Sequence, residues 1–143
     1  MSISKLFFTA LLALPLPVLA AGMSVTLYKN PDCGCCDRYA QYLRSNGFEV
    51  QTINTDNLSK IKRAHAVPEK LEGCHTALID GYVFEGLVPV ENIQRVLKTH
   101  APIKGLSVPG MPVGAPGMAG NKTGTINVYY LDASPTPKVF SHF

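Results

Sequence analysis

Apolar positions along the chain switch between a two-residue spacing and a helical one. Within residues 23–28, Val25 and Leu27 fall on alternate positions, which predicts a short strand. Pro31 and Asp32 break it. Asp32 is placed to cap a helix over residues 33–46, in which Cys36, Tyr39, Ala40 and Leu43 share one face and Asn46-Gly47 supplies the stop. Residues 48–53 return to strand. Asp56 then caps a short helix whose Leu58 and Ile61 face inward and which ends before Pro68. After a loop over residues 69–73, residues 76–79 form a strand, Asp80-Gly81 a hairpin turn and residues 82–84 the returning strand. Pro89 opens a helix carrying Val90, Ile93, Val96 and Leu97 at helical spacing, with its end near His100-Ala101-Pro102.

The predicted order, β-α-β-α-β-β-α, joins a parallel βαβ unit to an antiparallel ββα unit. That is the thioredoxin-like arrangement, an α/β fold with a central mixed sheet flanked by helices. Composition shifts beyond it. Residues 105–120 read GLSVPGMPVGAPGMAG, a Gly/Pro/Met-rich loop, and residues 125–131 and 138–140 predict a closing hairpin. An irregular segment of this length in a small domain is usually functional or disordered. There is no internal repeat.

The first residues bear on location. Lys5 precedes an almost wholly apolar run over residues 6–19, and Val18-Leu19-Ala20 offers small residues for cleavage. Residues 1–20 therefore read as a secretory signal peptide, leaving one domain over residues 21–143. A membrane span needs about 20 apolar residues, and Pro15 and Pro17 interrupt this run, so no membrane insertion is expected once the signal is cleaved. The bacterial periplasm is the expected compartment. The formal net charge is +3, with 13 basic against 10 acidic residues and no basic stripe, which argues against a nucleic-acid partner.

The chemistry concentrates in the stretch NPDCGCCDRY. Cys33 and Cys36 have the C-x-x-C spacing of dithiol redox catalysts, and the predicted helix start would stabilise thiolates there through its unpaired N–H groups and dipole. Cys35 between them has no place in a simple redox pair. A thiophilic metal would use it, since Cu(I) prefers thiolate sulfur and bridging thiolates hold several ions. Cys74 is the fourth sulfur, in the loop that a thioredoxin-like fold sets beside the first helix mouth. Redox enzymes of that fold usually carry a cis-proline there, whereas this chain reads Cys74-His75-Thr76. Three other readings stand beside the metal: a pair of stabilising disulfides, a tetrahedral zinc site, and thiol–disulfide exchange with Cys33 as nucleophile and Cys36 as resolving thiol. His75, Met111 and Met118 are secondary candidate ligands. Each has an ordinary alternative, a backbone-bonded loop histidine or methionines filling gaps. His65 and His100 sit at helix ends, where a partial positive charge is favourable.

Three stretches, YKNPDCGCCDRY, CHTALIDGYVFEGLVP and GLSVPGMPVGAPGM, resemble in that order the CopG-type periplasmic copper-resistance proteins, across essentially the whole mature chain. The resemblance implies a thioredoxin-like fold, a periplasmic location, and copper held through Cys33, Cys35, Cys36 and Cys74. It implies copper tolerance by sequestration, by transfer to periplasmic copper transport or efflux proteins, or by Cu(I)/Cu(II) oxidoreduction. Copper as Cu(I), in more than one ion, suits four thiolates. One position departs from the family, which commonly has histidine where this chain has Leu87, in Glu85-Gly86-Leu87-Val88-Pro89.

Overall fold

The computed structural model describes residues 22–143, so the expected signal peptide at residues 1–20 lies outside the described residues. Strand β1 (Met23–Lys29) leads into helix α1 (Gly34–Ser45), strand β2 (Phe48–Asn54) and helix α2 (Leu58–Ala64). A turn of 3-10 helix (Glu69–Leu71) precedes β3 (His75–Ile79), β4 (Tyr82–Gly86) and α3 (Val90–Thr99). Strands β5 (Gly105–Val108), β6 (Asn127–Tyr130) and β7 (Val139–His142) complete the chain. One mixed sheet results, in the order β2-β1-β3-β4-β5-β6-β7, with β1/β2 and β4/β5 parallel and the other neighbours antiparallel. The thioredoxin-like order expected from the sequence is present.

The two-residue period of the strands divides the core. Val25 and Leu27 of β1, Ala77 and Ile79 of β3 and Phe84 of β4 pack with Tyr39, Ala40 and Leu43 of α1 and Ile93 and Val96 of α3 in the main core. The alternate residues turn the other way, and Val83 joins Val67, Leu71 and Leu131 in a smaller cluster. Thr76 and Glu85, register partners across β3 and β4, also belong to that second set of positions. Between β3 and β4 the turn residues Asp80 and Gly81 both have positive φ, 48° and 81°, as a two-residue hairpin of this hand requires.

Three expectations need correction. Cys33, not Asp32, occupies the N-cap of α1, and no side chain caps it. Asn57, not Asp56, caps α2, its Oδ1 accepting from the Lys60 N–H at 3.3 Å. The first four residues of the expected loop, Gly105–Val108, form β5, wedged between β4 and β6. All four of its residues are buried, so the strand shows no alternation to read. Its glycine is obligatory, because a Cβ on Gly105 would sit 1.7 Å from the Val83 carbonyl oxygen. Among the described residues no helix is long and apolar enough to cross a membrane.

Candidate metal centre

The mouth of α1 and the start of β3 bring all four cysteines together. Cys33 is the N-cap, Cys35 and Cys36 lie in the first turn, and Cys74 immediately precedes β3. Their four Sγ atoms lie within 4.8 Å of one another. Cys33 and Cys36 are joined in a disulfide, while Cys35 and Cys74 are free thiols. Cys35 is the hub of this group. Its Sγ is 3.4 Å from Cys33 Sγ, 3.6 Å from Cys74 Sγ and 3.9 Å from the Met111 thioether. The extra thiol of the C-x-x-C pair thus links that pair to the fourth cysteine.

Several contacts fix these positions. Lys29 ends β1 buried, on the α1 face. Its ammonium donates to the carbonyls of Asn30 and Pro31, at 3.2 and 3.0 Å, and pairs with Asp37 in the first turn of α1 at 3.0 Å. It thereby ties the turn before Cys33 to the helix after it, in place of a side-chain cap. On the other side, Gly73 and Gly86 meet backbone to backbone, and a Cβ on Gly73 would lie 2.5 Å from the Gly86 Cα. Gly110 N–H donates to the Glu72 carbonyl at 2.9 Å, which delivers Met111 to the sulfur group beside Cys35. Arg38 holds the far end of that loop by donating to the Gly117 carbonyl at 2.7 Å.

Electrostatics differ from one sulfur to another. Burial first, and then the charge of the neighbouring Cys35 with the hydrogen bond the two share, push the Cys74 thiol up to about 12, against weaker opposing pulls from a backbone hydrogen bond and the Lys62 ammonium. Cys74 is therefore protonated at neutral pH. His75 follows it in the chain, fully buried, its ring 4.4 Å from that of Tyr39 and its Nδ1 3.3 Å from Cys74 Sγ. Burial first, and the Lys62 charge second, lower its pKa to about 3, so the imidazole is neutral and available as a donor. Its Nε2 is a buried nitrogen without a hydrogen-bond partner.

A cleft of about 490 Å³ opens onto the site, lined by Cys33, Cys74, Met111, Lys62 and Asp56 among others. At Lys62 it reaches a buried ionic group that the sequence did not reveal. Lys62 is 4% exposed and Glu85 0%, and the two are paired. Thr76 donates to Glu85 Oε2 at 2.7 Å, and the Gly73 N–H to Oε1 at 2.8 Å. Burial raises the Glu85 carboxyl, while Lys62, Thr76 and Gly73 draw it back. The available signal was the i, i+4 spacing of Lys62 from Leu58, which puts both on the inward face of α2.

The secondary candidates separate. Met111 stands at the sulfur group and is 57% exposed, whereas Met118 packs against the main core. His75 lies at the site, while His65 and His100 occupy the C-caps of α2 and α3, as helix-end histidines. Leu87 is fully buried in the main core.

The donor set suits a thiophilic ion. A tetrahedral ion with metal–sulfur bonds near 2.3 Å spaces its sulfurs roughly 3.8 Å apart, close to the separations around Cys35. Full use of all four sulfurs requires the Cys33–Cys36 bond to be reduced. The fold and this sulfur group define the class: a thioredoxin-like α/β protein with a cysteine cluster able to ligate metal. Two solved structures, of forms 1 and 2 of a copper resistance protein CopG, each share 34% sequence identity with the chain. Each superposition has a TM-score of 0.77 and covers 85% of this chain and 98% of the other. A family model described as "Protein of unknown function, DUF411" matches residues 71–118. No curated protein sequence matches the chain. The chain belongs to the CopG copper-resistance family.

Proposed function

We propose that this protein serves copper tolerance in the periplasm by taking Cu(I) onto Cys33, Cys35, Cys36 and Cys74. The observation that carries the reading is the gathering of four sulfurs within 4.8 Å at one helix mouth. Soft thiolates favour Cu(I), and bridging sulfurs accommodate more than one ion. Met111, beside Cys35 and open to solvent, and the buried neutral His75 beside Cys74 are further donors. Family membership supports the copper assignment, and the open cleft at Cys33 and Cys74 supports exchange with periplasmic transport or efflux partners. The signal peptide over residues 1–20 and a single domain over residues 21–143 belong to this reading.

The disulfide adds a redox component. Two Cu(II) ions oxidising the Cys33 and Cys36 thiols would give two Cu(I), one disulfide and two protons, leaving Cys35 and Cys74 as thiol donors. The same bond favours one rival, thiol–disulfide exchange through Cys33 and Cys36. The two part at Cys35→Ser. Protein purified anaerobically after growth in copper is expected to carry more than one copper ion per chain, with most of it lost in Cys35→Ser. A copper-free native chain whose disulfide-reductase activity survives Cys35→Ser would establish the exchange enzyme instead.

A further inference from the structure

The Lys62–Glu85 pair has no part in the ligand set, yet it holds the chain on both sides of Cys74, by a backbone N–H before it and a side-chain hydroxyl after it. Glu85 takes the Gly73 N–H, one residue before that cysteine, and the Thr76 hydroxyl, two residues after it. Lys62, from α2, donates to Glu85 and to Thr76 Oγ1, the latter at 3.4 Å. Four segments thus converge on one carboxylate: α2, the loop before Cys74, β3 and β4. Buried ion pairs of this kind give little net stability, and apolar side chains of similar volume often serve as well. Stability alone therefore does not account for a charge pair at this place.

We propose that the buried Lys62–Glu85 pair is a positioning device for Cys74, holding its sulfur beside Cys35 while the Cys33–Cys36 bond opens and closes. The inference rests on the copper reading for its purpose, and on the hydrogen bonds for its geometry. Gly73 also pairs with Gly110 across the loop that carries Met111, so the same carboxylate steadies the thioether side of the group.

The test uses the chain from residue 21 onward as wild type, as the double variant Lys62→Met/Glu85→Leu, and as Glu85→Gln. In metal-free protein with the disulfide intact, alkylation of Cys74 is followed by peptide mass spectrometry. In reduced protein, Cu(I) per chain and the thiolate-to-Cu(I) charge-transfer band are recorded. The folded double variant is expected to alkylate Cys74 about tenfold faster, the size set by losing one or two net hydrogen bonds, and to hold less Cu(I) with an altered band. Glu85→Gln keeps an acceptor for Gly73 and is expected to restore most of the native rate. Native alkylation and a native band in the folded double variant would overturn the proposal. If the double variant does not fold, Thr76→Val, which spares the ion pair and removes one grip, is read by the same two measurements and the same criteria. A wild type that takes up no Cu(I) would sink the copper reading alone, because the alkylation comparison needs no metal.

Discussion

At the scale of single residues, position decided chemistry more than residue type did. The four cysteines were legible as a group from their spacing and the expected topology. The central place of Cys35 was not, because it depends on how the first turn of α1 aims its sulfur. Lys62 and Glu85 were hidden for a different reason: charged residues in a short helix and a strand read by default as solvent-facing. His75 gives a measurable consequence. It is neutral in the fold with a pKa of about 3, against 6.5 when free, so between these values the unfolded chain binds the extra proton. Stability contributed by keeping His75 neutral is present above pH 6.5 and is lost as pH falls towards 3. The expected slope approaches about 1.4 kcal/mol per pH unit for one proton. Urea unfolding across this range should show it, and His75→Gln should flatten it.

At the scale of elements, helices α1 and α3 and the alternating strands were readable because each presents apolar residues at its own period to the main core. Strand β5 was not, since it is buried on both faces and opens with a glycine. The glycines that let backbones meet around Cys74 are likewise invisible to periodicity. Gly86 has φ +69° and an added Cβ would lie 2.3 Å from the Val108 carbonyl oxygen, whereas Gly81 has φ +81° with open space around it. Gly81→Ala should cost about 1–2 kcal/mol, the strain of left-handed backbone. Gly86→Ala adds a clash between β4 and β5 and should cost more than about 3 kcal/mol. Chemical denaturation of the two variants measures the difference, and equal losses would mean that the close approach is easily relieved.

At the scale of the molecule, a seven-stranded sheet gives the thioredoxin-like core a C-terminal extension, β5 to β7, whose connecting loop returns to the helix mouth through Arg38 and Gly117. Core and extension meet at the sulfur group. On the proposed function, loading releases protons, because Cys74 has a pKa of about 12 before metal arrives. Cu(I) affinity, measured by competition with a chelator of known pH dependence, should weaken roughly tenfold per pH unit of acidification for each proton released. An affinity independent of pH would mean that Cys74 is not a ligand. The shared sulfurs of Cys33 and Cys36 carry a final consequence. The same two atoms cannot be a covalent bond and a full ligand pair at once, so the chain's capacity for electrons and its capacity for metal vary inversely. Protein drawn from an electron-starved cell envelope should come out half-empty, however much copper surrounds it. Metal occupancy would then be a gauge of reductant supply as much as of copper.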